Sequence, residues 1–253
     1  MWNRPALMNA TANALYAVAA FAALTVAAVL LARLPVFDLR EVKIGGALKH
    51  VTRDEIEGVV QRELRGNFFT LDLVVARAAF ERLPWVRHVN VRRHWPAGLA
   101  VALEEHASLA RWGVVALVNT HGEVFRAAVD RELPVFIGPE GTAREIAIQY
   151  VYFSRSLRGI GETPVEVQLT PRRAWQVRLE SGTTLALGRE HIEARLTRFV
   201  EAYGRTLGRL ERRIEYVDLR YANGFAVRIP ELRHEKPEAK RGQRTGKRAG
   251  TGA

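Results

Sequence analysis

The chain has 253 residues, 48% hydrophobic and 26% charged, with 38 Lys and Arg against 27 Asp and Glu and a formal net charge of +11. That length fits one large domain or two small ones, and the apolar share excludes a chain disordered throughout. Cysteine is absent, which excludes disulfides, thiolate nucleophiles and cysteine-ligated zinc or iron–sulfur centres without assigning a compartment.

No charged side chain occurs between Arg4 and Arg33, and Ala14 to Leu31 is apolar except for Tyr16 and Thr25. As a helix rising about 1.5 Å per residue, this segment and its weakly polar flanks cover the roughly 30 Å hydrocarbon core of a bilayer. A buried globular helix is seldom apolar all round for this length, and the chain has no second such segment to pack against it. A cleaved signal peptide would be shorter and would end in small residues, whereas this segment ends in Leu31-Ala-Arg-Leu-Pro35-Val-Phe. The reading is a retained transmembrane helix over 14–34 behind a tail of residues 1–13. Arg4 and the terminal amine face Arg33, Arg40 and Lys43, tempered by Asp38 and Glu41, so charge alone sets no orientation. The short stretch before the helix and the long one after it favour a cytoplasmic tail and an exported body.

From Val36 the pattern is strand-like up to the turn at Gly45-Gly46. Thr52-Arg-Asp-Glu55 reads as a capping box, and Ile56, Val59, Val60 and Leu64 then share one helical face. Asp72 is the expected N-cap of a second helix with Leu73, Ala76, Phe80 and Leu83 inward, stopped by Pro84. Strands over Trp85–Arg93 and Leu99–Glu105, joined by Trp95-Pro96-Ala-Gly98, complete a β-α-α-β-β unit.

After Glu105 short strands dominate: Leu109–Val118, Val124-Phe125, Val165–Leu169, Ala174–Leu179 and Thr183–Leu187. Pro139-Glu-Gly141-Thr142 leads into a helix carrying Ile146, Tyr150, Phe153 and Leu157. Another helix carries Ile192, Leu196, Phe199, Val200, Tyr203 and Leu207. A hairpin closes the region: Ile214–Tyr221, a turn with Asn223-Gly224, then Phe225–Ile229, ended by Pro230. The fold class is therefore α+β, with a β-rich second domain flanked by helices. From Glu231 to Ala253 the chain is Lys, Arg, Glu, Gly, Ala, Pro and Thr without apolar periodicity, the composition of a disordered basic tail.

Chemistry-bearing patterns are missing. The seven histidines include no pair at the i, i+4 spacing of a zinc-binding helix, and Glu104-Glu105-His106 reads as a solvated strand end. There is no G-x-S-x-G, S-x-x-K, G-x-G-x-x-G or phosphate loop. Arginines such as Arg87, Arg92 and Arg93 are scattered rather than interleaved with aromatics as a nucleic-acid site requires. No catalytic residue, metal site, cofactor, nucleic acid or small-molecule substrate is expected; the exported region reads as a recognition surface.

Six segments in order carry a resemblance: Phe37-Asp-Leu-Arg-Glu-Val-Lys-Ile-Gly-Gly46, Leu83-Pro-Trp-Val-Arg-His-Val-Asn-Val-Arg-Arg-His-Trp-Pro96, Ala110-Arg-Trp112, Gly138-Pro-Glu-Gly141, Leu185-Ala-Leu-Gly-Arg189 and Tyr216-Val-Asp-Leu-Arg-Tyr221. Together, from about Ala14 to Ile229, the chain resembles the FtsQ/DivIB family of bacterial cell-division proteins. The resemblance implies a cytoplasmic N-terminus, one inner-membrane span, a polypeptide-transport-associated (POTRA) domain at 36–106, a β domain at 107–230 and the tail at 231–253. It also implies a non-enzymatic scaffold at the division septum. Such a scaffold binds FtsB, FtsL and other divisome components and links early division proteins to septal peptidoglycan synthesis.

In that family FtsB adds to the end of the β domain, which here makes Phe225–Ile229, with Val227 at its centre, the edge strand. By motif position, Arg220 would meet an acidic group on FtsB, while Tyr221 and Gly224 would shape the docking surface. Asn223 stands where the family has a small polar residue such as serine, and Ile229 where a tryptophan occurs. Arg172 or Arg173, before Trp175, would add a second charged contact, and the sequence does not choose between them. The plain alternative is that Tyr221, Phe225 and Val227 are core. The competing function is a POTRA-containing transport or outer-membrane assembly factor, which would continue into long alternating barrel strands that do not follow Glu105.

Overall fold

The computed structural model describes residues 5–32, 34–209, 213–221 and 224–230. It divides into two compact units, one of Met1–Phe136 with Ala143–Ala147 and the other of Ile137–Thr142 with Ile148–Ala253.

In the first unit, α1 (Pro5–Ala32) begins before the expected span and holds one stretch, Met8–Ala32, long and apolar enough to cross a membrane, none of it buried. The Thr25 hydroxyl donates to the Phe21 carbonyl at 2.8 Å, so this polar group is satisfied within the helix. The strand expected from Val36 starts later. Pro35–Phe37 forms a 3-10 turn in which the Phe37 N–H donates to the Leu34 carbonyl, and β1 covers Glu41–Gly45.

The capping box forms as the sequence dictates. Thr52 Oγ1 accepts the Glu55 N–H and Glu55 Oε2 accepts the Thr52 N–H at 2.8 Å, opening α2 (Arg53–Glu63). Asp72 Oδ1 accepts the Val74 and Val75 N–H groups to open α3 (Leu73–Glu81). β2 (Val86–His94) and β3 (Gly98–Glu105) pair antiparallel and β1 pairs parallel to β3, giving the order β1-β3-β2. Ile56, Val59, Phe80, Val89, Leu99 and Val101 fill the space between sheet and helices. Each such buried side chain contributes about 1.5–3 kcal/mol relative to exposure.

The next strands are β4 (Ser108–Trp112), β5 (Ala116–Asn119), β6 (Val124–Phe125) and β7 (Val135–Ile137). The single strand expected over Leu109–Val118 is two antiparallel strands. Gly113, at φ 57°, takes the left-handed conformation that a turn there requires. β5 pairs with β6, and β7, which the sequence reading missed, runs parallel to β4 with Arg111 opposite Val135.

At the strand end expected to be solvated, Glu104 is exposed, whereas Glu105 and His106 are half-buried in a polar and aromatic cluster. Glu105 accepts the backbone N–H groups of Lys49, His50 and Val51. Burial pushes the Glu105 carboxyl up, but these donors outweigh it and the net direction is down. Arg87 bridges Glu104 at 2.6 Å and Glu123 at 2.8 Å. The hydrogen bond from Arg87, helped by one from Asn119, holds Glu123 at about 2. His50 stacks on Trp85 at 3.8 Å and His106 on Phe125 at 4.1 Å, with Trp85 edge-on to Phe125.

The buried Asn119 fixes its own amide orientation, since Oδ1 accepts the His121 and Glu123 N–H groups at 2.9 Å. Its Nδ2 therefore donates to Glu123 Oε2 at 2.6 Å and to His106 Nδ1 at 2.9 Å. That second bond requires a neutral His106 with its proton on Nε2.

The α4 helix covers Ala143–Leu157, and its part in the second unit, from Ile148, buries Phe153 and Leu157, with Phe153 edge-on to Trp175. β8 (Pro164–Leu169), β9 (Trp175–Leu179) and β10 (Thr184–Gly188) are antiparallel neighbours. α5 (Ile192–Tyr203), with Leu196 and Phe199 buried, returns the chain to β11 (Tyr216–Asp218), parallel to β10. β12 (Ala226–Arg228) then pairs antiparallel with β11. Val167, Val177, Leu185 and Val217 are register partners on successive strands and form one buried row across the sheet.

Both strands of the closing hairpin are shorter than expected, three residues each. The Leu219 N–H still donates to Ala186 of β10, but the Arg220 N–H turns to Asp218 Oδ1, which ends the ladder.

Candidate functional site

β12 stands last in the strand order β8-β9-β10-β11-β12, so its outer edge has no strand partner among the described residues. Such an edge presents a row of N–H and C=O groups to any extended segment that can pair with them. The residues expected there split into three groups. Phe225, Val227 and Ile229 are half-buried: Val227 lies opposite the buried Val217, and Phe225 is edge-on to the fully buried Phe199 at 6.0 Å. They support the strand as much as they display it. Tyr221 is not core, being 59% exposed, and Gly224 is half-buried with open space where a Cβ would stand. Asn223 and the tail from Glu231 lie outside the described residues.

Arg220 is exposed but already engaged. Its Nε donates to Asp218 Oδ1 at 2.8 Å and its Nη2 to Asp218 Oδ2 at 2.6 Å, a two-pronged pair with a carboxylate that is itself nearly buried. The guanidinium's hydrogen bonds hold Asp218 below the usual carboxylate range against the opposing pull of burial. The stem of Arg220 passes over Gly188, where a Cβ would come within 3.1 Å of Cγ and 2.8 Å of Arg195 Nη1. At φ 77°, Gly188 is needed both for its backbone and for the room it leaves.

Two helix arginines frame the same corner. Arg195 Nη1 donates to the Leu187 carbonyl at 2.6 Å, and Arg198 Nη2 donates to the Tyr221 carbonyl at 3.1 Å. Sequence reasoning missed Asp218, Gly188, Arg195 and Arg198. Their signals were the acid two residues before Arg220 at a strand end, and two arginines three apart on one helix face.

Arg172 and Arg173 lie in the turn from β8 to β9, where the Arg173 N–H donates to the Thr170 carbonyl and Arg173 takes φ 63°. Trp175, just after that turn, is opposite Gly188, and Ala186 is opposite Asp218. The turn thus sits at the same end of the sheet as Arg220, two strands over at about 4.8 Å per strand. Among the described residues no group of three or more His, Cys, Asp or Glu is placed to hold a metal ion.

A helix of membrane-crossing length, a β-α-α-β-β module and a β-rich region with helices define the class, an α+β protein with an N-terminal apolar helix. Comparison with known proteins gives the family. Residues 37–106 match the POTRA domain, FtsQ-type, and residues 110–220 match Cell division protein FtsQ/DivIB, C-terminal. The chain is 45% identical to Cell division protein FtsQ of Nitrosospira multiformis over 233 residues, covering 90% of this chain and 99% of that one. It is 44% identical to the protein of the same name from Burkholderia pseudomallei over 240 residues, 92% of this chain and 96% of the relative. With that of Neisseria gonorrhoeae the identity is 38% over 204 residues, 78% and 84% of the two chains.

The chain belongs to the FtsQ/DivIB family of cell-division proteins, and its role is in cell division. The apolar helix and the family together fit a single-pass protein of the inner membrane.

Proposed function

We propose that the chain is a divisome scaffold that binds FtsB and FtsL through its exported domains and links early division proteins to septal peptidoglycan synthesis. In this reading residues 1–13 lie in the cytoplasm and 14–34 span the membrane. Residues 36–106 recruit divisome partners, 107–230 bind FtsB, and 231–253 form a solubilising basic tail. The observation that carries it is the unpartnered outer edge of β12, with Arg220 fixed beside it.

FtsB contributes an extended segment that pairs with that edge, and an acidic side chain on it meets the exposed side of the Arg220 guanidinium. Main-chain pairing supplies the register, and Tyr221 with the half-buried Phe225, Val227 and Ile229 supplies side-chain contact. Arg172 and Arg173 offer positive charge at the same sheet end. Gly224 precedes the strand, and Asn223 is the remaining residue expected at the site. No catalytic step is assigned to any residue.

Titration of the full chain with FtsB tests this. Arg220→Glu should weaken binding by about 1–3 kcal/mol, with circular dichroism confirming that the variant is folded. Unchanged affinity in a folded variant would remove Arg220 from the site. Imaging a fluorescent fusion tests the location: a ring at the septum supports the division role, and an even envelope signal would count against it.

A further inference from the structure

The end of the β-α-α-β-β module next to α1 carries an exposed aromatic surface that neither the core nor the β12 edge accounts for. Trp95 is 67% exposed, Phe69 47% and Val36 66%. Trp95 and Phe69 are parts of one assembly. Phe37 is edge-on to Phe69 at 4.9 Å, Phe69 to Phe68 at 5.2 Å, and Phe68 to Trp95 at 5.7 Å.

The assembly is fastened to the end of the apolar helix. Asn67, 5% exposed, donates from Nδ2 to the carbonyl of Ala32, the last residue of α1, at 2.6 Å. Its Oδ1 accepts the N–H groups of Phe69 and Thr70, and the Phe68 N–H donates to the Phe37 carbonyl at 2.8 Å. From β2, Arg93 reaches back to the carbonyls of Phe68 and Leu71. Loop 67–71, the end of β2 and the last turn of α1 are therefore held at one level.

Helix length sets that level. Met8–Ala32 is 25 residues, which rise about 37 Å, more than the roughly 30 Å of hydrocarbon, so the last turn sits among the headgroups. Asn67 is one hydrogen bond away. Headgroup depth is where tryptophan and other aromatic rings concentrate, with their apolar bodies toward the acyl chains. Arg65 and Arg92, close in sequence to the loop and to the end of β2, are both exposed and carry the charge that acidic headgroups attract.

We infer that the module does not stand off from the membrane on a tether but rests on it, with Phe69 and Trp95 seated in the headgroup layer of a phospholipid bilayer. This rests on the reading of α1 as a membrane span.

The absence of cysteine makes the test clean. The full chain is reconstituted in nanodiscs of phosphatidylethanolamine and phosphatidylglycerol, with one nitroxide label at His94→Cys, Val114→Cys or Ala20→Cys. Collision with oxygen reports lipid contact, and collision with a water-soluble nickel chelate reports water contact. The expected result is lipid-type accessibility at residue 94, severalfold above residue 114 in the oxygen-to-nickel ratio. The double change Trp95→Ala and Phe69→Ala in the His94→Cys background should bring the ratio down toward that of residue 114.

A label at residue 94 as water-exposed as that at 114 would overturn the inference. So would one shielded from both reagents, since protein and not lipid would then cover the surface. The label at residue 20 separates the two readings: if it too is water-accessible the anchor itself has failed, and if it alone is lipid-exposed only the seating has.

Discussion

Two regions treat their polar groups in opposite ways. Around Glu105, Asn119 and Arg87, side chains and main chain are bonded to one another, and two stacked histidine–aromatic pairs flank the cluster. At the closing edge, β12 pairs on one side only and rests on a three-residue partner. The first region uses its hydrogen-bonding capacity to hold β3 and the strands after it in one arrangement. The second leaves part of that capacity without a strand partner among the described residues, and its stability is borrowed from the packed residues beneath. The lesson is that rigidity and availability are allotted to different places in one chain.

The largest expected effect tests what the edge rests on. Phe199→Ala empties a fully buried site under Phe225 and should cost about 3–5 kcal/mol. Hydrogen exchange should show the loss across β10 to β12 while the β1-β3-β2 module keeps its protection. Equal loss in both would break the contrast. Next, Glu105→Ala leaves three backbone donors without their acceptor. It should cost about 1–3 kcal/mol in a guanidinium titration, with FtsB affinity unchanged. A smaller change follows Asp218→Asn, which loosens Arg220. Stability should fall by about 0.5–1.5 kcal/mol, and FtsB binding should weaken because the guanidinium is no longer held in place. Tighter binding would show instead that Asp218 competes with the partner's acid.

The smallest effect is acid sensitivity of the Glu105–Asn119 cluster. Desolvation by burial is the main cause lowering the His106 pKa, with Glu123 opposing it. The groups around it are Glu104, Glu123, Arg87 and His121, and the Asn119 amide faces Nδ1 with a donor. The folded state thus prefers the neutral ring. Its contribution is full above about pH 6.5 and is lost as pH falls through the depressed folded value. Glu123, held at about 2, contributes above about pH 4.5 and loses that contribution as pH falls through its folded value. An NMR titration should therefore place the His106 midpoint below that of an unfolded control. A midpoint at or above the control would refute the assigned hydrogen bond.

Local chemistry was legible where a few neighbouring residues decide the outcome. Thr52 with Glu55, Asp72, Pro84 and the alternation of Leu99, Val101 and Leu103 each carry their own instruction, and the corresponding elements form. Gly113 shows the limit: the apolar run around it reads as one strand, and only the left-handed backbone at that residue divides it. The ordered state of Glu105 and His106 was not legible, because their partners lie at Lys49 to Val51 and at Asn119. The fold alone brings those together. Within the site, the position of the edge strand could be read from the closing hairpin. The bond between Arg220 and Asp218 was in plain sight as a two-residue spacing but reads as a contact only once the ladder is known to stop there.

The brevity of β12 sets how firmly anything can hold it. Three residues of main-chain pairing, each bond worth about 0.5–1.5 kcal/mol net, give a grip of roughly tens of millimolar to millimolar before side chains add to it. A ligand free in solution would slip away, whereas one confined to the same bilayer meets the strand at high effective concentration. On the proposed function, so weak a handhold makes co-residence in one membrane a condition of assembly and leaves the complex free to come apart.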